Sequence, residues 1–379
     1  MKILVNASTL VVGGGVQVAL NFIKYTLKQD EDDFYYIVSN RVYDQIKEDV
    51  NPNLITLIPI SPAKIISGKK SKKVILDIEK KYNPDIVYSI GAPSYVGFKN
   101  TEVLRLTNPL IIGADKIALS SYSLKERLIN FIALRIKRLY IKKNHFIITQ
   151  TEDAKSRMIK NLNFKSDRIF VIPNTCSSIF YDVKKEDKTS DIINIFAFAS
   201  PYPHKNIEII PEVVENLVAN GCTNFNFSVT IPIDKESKSY INFNNLCEKH
   251  SAFDYIENIG KVNFKDVPGV YAKSDILFLP TLLEVFSVTY LEAMASNVPI
   301  VTTNLSFSKS VCDNAAYYFE PKNSKDATKQ LLKLINNKKE RESLVSLGKK
   351  RLDNFQKEDT IYQEHLNTIK AIYNLKKHR

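Results

Sequence analysis

Short apolar runs alternate with amphipathic stretches along most of the chain. Residues 2–8 (KILVNAS) read as a buried strand, and 16–29 (VQVALNFIKYTLKQ) as an amphipathic helix. A strand at 34–39 (FYYIVS), helices near 41–49 and 72–81, and a strand at 85–90 (DIVYSI) follow. Residues 124–143 read as a basic helix, 145–149 (HFIIT) as a strand, and 151–161 as a helix after the cap-like Thr151. A short strand at 169–172 (IFVI) ends at Pro173. Residues 181–191 (YDVKKEDKTSD) are polar, lack periodicity and read as a linker. The alternation then restarts. Strands are expected at 192–198, 225–231, 254–258, 276–279 and 298–302, and helices at 205–219, 242–249, near 266–272, 287–296 and 324–336.

Alternating strands and helices imply a parallel sheet covered on both faces. The repeat across a linker predicts an α/β protein of two Rossmann-like, doubly wound domains facing a cleft, over residues 1–180 and 192–356. Ligands of such sheets bind beyond the carboxyl ends of the strands, so chemistry should be sought in the loops that follow strands.

Composition narrows the class. Of 379 residues, 44% are hydrophobic and 25% charged, which sets aside disordered and fibrous chains and suits two domains. No apolar run reaches the ~18 residues that would span a bilayer. The opening MKILVNASTL passes into strand pattern without a signal peptide's charged segment, apolar core and cleavage site, so a cytoplasmic location is expected. Cys176, Cys222, Cys247 and Cys312 are widely and irregularly spaced; they read as small buried hydrophobes in a reducing compartment.

The net charge of +12 changes the picture once it is located. Residues 51–170 hold 22 Lys+Arg against 9 Asp+Glu, a net of +13, whereas residues 201–300 hold 7 against 12, a net of −5. Residues 62–74 (PAKIISGKKSKKV) set Ile65 and Ile66 among five lysines. In 124–143, Leu128, Phe131, Ile132, Ile136 and Leu139 recur at three- and four-residue steps, with basic residues in the last turns. Either these two segments lie on an anionic membrane surface, or the helix packs on the core with a solvated lysine face. Nucleic acid is not an expected partner, because the basic residues lack interleaved aromatic stacking platforms.

Residues 12–17 (VGGGVQ) lie between the first strand and the first helix, where Gly14 and Gly15 let backbone N–H groups approach a phosphate. A tight turn would need glycine as well. The dinucleotide fingerprint is not met, since its third glycine falls on Val18 and the second strand ends in Ser39-Asn40 instead of an acid. A nicotinamide dehydrogenase is thereby set aside.

The stretch 279–304 (LPTLLEVFSVTYLEAMASNVPIVTTN) is the most informative. A strand ends at Pro280, Glu284 lies in the loop beyond it, and Glu292 follows eight residues later inside a helix. On spacing alone these could be a capping acid and a surface acid. From Glu284 to Val301, however, the residues match E-x-F-x-x-x-x-L-E-A-M-A-x-x-x-P-I-V. This resembles the E-x7-E motif of the retaining nucleotide-sugar glycosyltransferases of family 4, which have the GT-B fold. FAFASPYPHKNIEII (196–210), IPNTCSSIF (172–180), AAYYFEP (315–321) and the glycine loop are similar to the segments that the family places there.

The resemblance implies a set of roles. Glu292 would bind the hydroxyls of the nucleotide ribose, and Glu284 those of the transferred sugar. Lys205 would neutralise the leaving diphosphate, aided by the backbone N–H groups of Phe286, Ser287 and Val288. Gly14 and Gly15 would close the site from the other domain. Asn108, in LRLTNPLII, would stand in the place of the family's polar residue that faces the reaction centre. The C-terminal helix, 357–379, would pack back on the first domain.

Departures from the family pattern accompany these matches. Ser200 stands where the family usually has an arginine, Val285, Ser287 and Asn297 where it commonly has glycine, and Ser310 where a glutamate is common. His204, beside Lys205, could donate to a phosphate or cap the following helix; His145, His250, His365 and His378 read as structural. With no aspartate pair after a strand, metal-independent transfer is expected, and no cofactor, since the nucleotide-sugar is itself a substrate. The expected activity is transfer of a sugar to a glycan acceptor, lipid-linked, at the inner face of the cell membrane during cell-surface polysaccharide assembly. The alternatives are a catalytically degenerate donor-binding or scaffold protein and a GT-B sugar-nucleotide epimerase.

Overall fold

The run KILVNA forms β1 (Lys2–Ala7), buried at every residue after Lys2, as a strand covered on both faces requires. In the computed structural model, which describes residues 1–11, 14–141, 145–186, 190–198 and 202–377, this strand lies inside a seven-stranded sheet. Its other members are β2 (Asp33–Ser39), β3 (Ile55–Ile58), β4 (Ile86–Ile90), β5 (Glu102–Arg105), β6 (Phe146–Thr149) and β7 (Ile169–Val171). All pair in parallel, in the order β3-β2-β1-β4-β5-β6-β7. The hydrophobic pattern does not reveal β5 (EVLR). Its Glu102 is buried because it accepts from Ser89 Oγ at 2.6 Å and lies 3.7 Å from His145 Nε2.

The second sheet holds β8 (Ile193–Ala197), β9 (Phe225–Val229), β10 (Ile256–Asn258), β11 (Ile276–Leu279), β12 (Ile300–Thr303) and β13 (Ala316–Phe319). It is again wholly parallel, in the order β10-β9-β8-β11-β12-β13. Both sheets follow the doubly wound pattern, in which the strand order reverses beside the first strand. The reversal lies between β1 and β4 in one sheet and between β8 and β11 in the other.

Each sheet belongs to its own compact unit, and the boundaries differ from those expected. The first unit comprises residues 1–113, 128–173 and 358–379; the second comprises 114–127 and 174–357. Residues 114–127 and 174–180, expected in the first domain, thus belong with the second sheet. Of the expected linker, residues 187–189 lie outside the described residues, and residues 183–186 are likewise held by the second unit. Lys185 Nζ donates to Tyr271 O at 2.9 Å, Glu186 N to Ala272 O at 3.2 Å, and Val183 packs on the core.

The C-terminal helix Glu358–Lys377 closes the first unit. Its Ile361, Tyr362, Leu366, Ile369 and Ile372 share a core with Phe22 and Tyr88. His365, read as structural, is buried there, with Nδ1 3.1 Å from the Tyr88 hydroxyl. Burial and nearby Arg105 hold its pKa well below the usual value, so the ring is neutral. All four cysteines are buried, and none is in a disulfide among the described residues.

Candidate functional site

The reversal between β8 and β11 marks where a ligand of the second sheet should sit, and the loops after these two strands meet there. The loop after β8 carries a 3₁₀ turn, Pro203–Lys205, so Lys205 precedes the helix instead of opening it. Asn206 follows with φ of 55°, and the α-helix begins only at Ile210. The loop after β11 carries Glu284. Lys205 Nζ and Glu284 Oε1 form a short ion pair, with side chains 20% and 13% exposed. Thr281 Oγ1 donates to the same carboxylate oxygen at 3.3 Å.

Backbone contacts lock the two loops together. The carbonyl of His204 accepts from Leu282 N at 2.7 Å and from Thr281 Oγ1 at 3.4 Å, and Asn206 Nδ2 donates to Pro280 O at 3.3 Å. The His204 ring stacks on Tyr202 (centroids 5.7 Å apart, planes 9°) and its Nδ1 lies 2.7 Å from the Tyr122 hydroxyl. Burial first, then the Lys205 charge, lower its pKa to about 4, against a smaller opposing effect of Glu284. His204 is therefore neutral near pH 7.

The loop runs on into the helix Val288–Ala295. Its N-cap Ser287 makes no side-chain cap bond, and its first turn holds no acid. The leading N–H groups thus lack a side-chain cap among the described residues, and they carry the helix's positive end. Glu292, one turn further, is only 9% exposed. Its carboxylate receives one long hydrogen bond, from Tyr271 Oη at 3.4 Å. Burial pushes its pKa up to about 7 despite that bond. A carboxylate held in this state is costly unless hydroxyl or N–H donors arrive to satisfy it.

The structure thus brings together Lys205, Glu284 and His204, with Phe286, Ser287, Val288 and Glu292 on the same loop and helix. Ser200 lies outside the described residues. Gly14 and Gly15 belong to the first unit, where they open its first helix, Gly14–Thr26. A Cβ on Gly14 would meet open space, while one on Gly15 would lie 3.0 Å from Leu10 Cδ2. Asn108, expected to face a reaction centre, instead caps a short helix: Oδ1 accepts from Leu110 N at 3.0 Å and Ile111 N at 3.2 Å. Among the described residues, no group of three His, Cys, Asp or Glu side chains could hold a metal ion.

Of the three sites of glycine replacement, Ser287 has ordinary extended backbone and Val285 is not among the residues of positive φ. Only Asn297 keeps the left-handed conformation, φ 57°, and its buried Oδ1 has no hydrogen-bond partner among the described residues. Asn297→Gly should therefore stabilise the protein by about 0.5–1 kcal/mol and Asn297→Ala destabilise it by about 1 kcal/mol, read by chemical denaturation. A glycine variant no more stable than the alanine variant would contradict this account.

Three residues at the site carry no local sequence signal. Thr281 and Tyr202 lie within recognised segments but are unremarked by spacing, and Tyr122 is more than eighty positions from His204. Only the placement of residues 114–127 with the second unit brings Tyr122 in.

Two Rossmann-like parallel sheets, the second with a lysine–carboxylate pair where its strand order reverses, define a GT-B fold. Residues 182–351 match the family described as Glycosyl transferases group 1. The O-antigen chain mannosyltransferase RfbU of Salmonella typhimurium is 25% identical over 197 residues, 50% of this chain and 50% of that one. The phosphatidylinositol N-acetylglucosaminyltransferase GPI3 subunit of Saccharomyces cerevisiae is 24% identical over 197 residues, 50% of this chain and 42% of that one. The match spans about half the length of these curated relatives, or less. Among solved structures, Anabaena HepE in complex with UDP and glucose has a TM-score of 0.74 at 13% identity, over 98% of this chain and 100% of that one. A glycosyltransferase from Rickettsia africae has a TM-score of 0.73 at 17% identity, over 98% of each chain. At these identities the structural likeness is one of fold.

Proposed function

We propose that the protein is a retaining glycosyltransferase that moves a sugar from a nucleotide-sugar to a lipid-linked glycan acceptor in cell-surface polysaccharide biosynthesis. The observation that carries this is Glu292, a buried carboxylate with one long hydrogen bond, on a helix whose first N–H groups lack a side-chain cap. A vicinal ribose diol would give that carboxylate two donors, and the helix N-terminus would receive the diphosphate. Lys205 would leave Glu284 for the leaving phosphate while Glu284 takes up sugar hydroxyls. With lysine and helix N–H groups meeting the developing charge, transfer needs no metal. The test is release of nucleoside diphosphate from a panel of UDP- and GDP-sugars with lipid-linked acceptor, the product keeping the donor's anomeric configuration. Inverted product, or donor binding with no release, would overturn this assignment. The second outcome would favour a donor-binding module, the alternative that Ser310 in place of the family's glutamate supports.

We also propose that the first unit rests on the anionic inner face of the membrane. No helix among the described residues is long and apolar enough to cross one. The basic helix, Leu124–Leu139, has no buried residue: Leu128 is 62%, Phe131 55% and Leu139 79% exposed. The core-packed alternative therefore loses its support. Ile65 and Ile66 are 75% and 83% exposed. The two segments adjoin, with Lys72 Nζ 5.2 Å from the centre of the Tyr140 ring just past the helix. Apolar side chains among lysines suit a headgroup layer of opposite charge. Phosphatidylglycerol-containing vesicles should sediment the protein, less so as salt shortens the screening length from about 10 Å at 0.1 M to about 3 Å at 1 M. Replacing Ile65 and Ile66 by aspartate should weaken binding at least about tenfold, roughly the loss of two buried aliphatic side chains. Equal binding to pure phosphatidylcholine vesicles would contradict the proposal.

A further inference from the structure

We propose that Tyr122 is a positioning residue for glycosyl transfer: carried onto the second unit by residues 114–127, its phenol fixes the His204 ring and thereby holds Lys205 in place. This rests on the assignment of Lys205 to the donor diphosphate, and adds a residue from the first half of the sequence.

Residues 114–127 leave the first sheet's unit and return to it at Leu128. Among the described residues, two hydrogen bonds tie them to the second unit. Ser120 Oγ accepts from Lys322 Nζ at 2.7 Å, and Tyr122, buried at 8% exposure, meets His204. The Tyr122 backbone is held in turn, since Arg127 Nε donates to its carbonyl at 2.9 Å. His204 is a joint between the site's two loops. Its ring is gripped by Tyr202 and Tyr122, its carbonyl by Leu282 N and Thr281, and its chain neighbour in the same 3₁₀ turn is Lys205.

The chemistry of the pair follows from the ring's charge. A second positive charge beside Lys205 would repel the ammonium that must meet the diphosphate, and burial keeps the imidazole neutral. With the phenol O–H as donor to Nδ1 of that neutral ring, the ring proton would lie on Nε2. Without the phenol O–H the imidazole is free to turn, and the Pro203–Lys205 turn loses one of its anchors. Ground-state donor binding, supplied by Glu292 and the helix N–H groups, stays. The loss should therefore fall on kcat more than on KM.

Two measurements on the full chain test this. With nitrogen-labelled histidine, the His204 ring (assigned by its disappearance in His204→Gln) should be the neutral Nε2–H tautomer at pH 7 in the wild type. It should shift toward a tautomer mixture in Tyr122→Phe. A protonated ring or an Nδ1–H tautomer in the wild type would overturn the proposal without any assay of turnover. In nucleoside diphosphate release, Tyr122→Phe should lose about five- to tenfold in kcat, the scale of one hydrogen bond, with donor KM and melting temperature nearly unchanged. Ser120→Ala, which detaches the same segment elsewhere, should stay within about twofold of the wild type, below the cost of one hydrogen bond. Wild-type kcat in Tyr122→Phe, or an equal loss in Ser120→Ala, would overturn the positioning role. Lys205→Ala separates the two layers: if it turns over normally the donor-site assignment itself fails, whereas its inactivity beside a fully active Tyr122→Phe refutes the role of Tyr122 alone.

Discussion

Lys205→Ala should lower kcat by about 10²–10³-fold, the scale of removing one preorganised group that meets charge developing at the leaving atom. Lys205 sits where the strand order of the second sheet reverses, paired to Glu284 and 20% exposed, so its ammonium is partly desolvated before any donor arrives. Donor affinity should fall less than kcat, because negative charge on the diphosphate grows as the sugar departs. The variant should remain folded. Glu284 keeps the Thr281 hydroxyl, and the loops stay joined through the His204 carbonyl and Asn206. A circular dichroism melt beside the turnover assay distinguishes loss of chemistry from loss of fold. A folded Lys205→Ala enzyme with near wild-type kcat would remove Lys205 from the mechanism.

Glu292 carries the second large effect, expressed in stability as well as turnover. Its pKa is raised from 4.5 to about 7 in the folded chain, first by burial. An acid of this kind keeps its proton in the native state after the unfolded chain has lost it. The native state therefore binds more protons across this window, and stability falls as pH rises from about 4.5 to 7. The cost above pH 7 is on the order of 3 kcal/mol. Glu292→Gln should escape it, and so should gain on the wild type between pH 5 and pH 8, read as the difference in denaturant midpoint. The same variant should lose turnover, since an amide cannot accept from both hydroxyls of a diol as a carboxylate does. Hydroxyls arriving at the charged form would pull its pKa down, so donor binding near pH 6.5 should release a fraction of a proton. Calorimetry in buffers of different ionisation enthalpy measures that release. A Glu292→Gln variant with the wild type's pH dependence would show that burial does not set the titration of Glu292.

Much of this was legible in the sequence, for identifiable reasons. Apolar runs such as KILVNA and ILFL are covered on both faces, so their hydrophobicity alone marks them as parallel strands. The loop-and-helix chemistry around Glu284 and Glu292 lies within one contiguous stretch, where local pattern suffices. What was hidden depends on partners far along the chain. EVLR reads as polar until Ser89 and His145 are set beside Glu102. The period of the basic helix gives its apolar positions but not whether they are buried, and among the described residues none of them is. Asn108 resembles a site residue until Leu110 and Ile111 are seen to donate to it. The 3₁₀ turn that sets Lys205 ahead of its helix depends on the left-handed Asn206, which the periodic run through 219 conceals. Tyr122 becomes visible only when residues 114–127 are placed on the second unit.

The central claim, that the second unit binds a nucleotide-sugar and transfers its sugar, is tested most directly by one assay. Wild-type and Lys205→Ala proteins are each incubated with a panel of UDP- and GDP-sugars, with and without lipid-linked acceptor, and the nucleoside diphosphate released is measured. The account predicts acceptor-dependent release from at least one donor by the wild type, lowered by about 10²–10³-fold in Lys205→Ala. A donor that binds but is never released as nucleoside diphosphate, or release that is equal in both proteins, would contradict it.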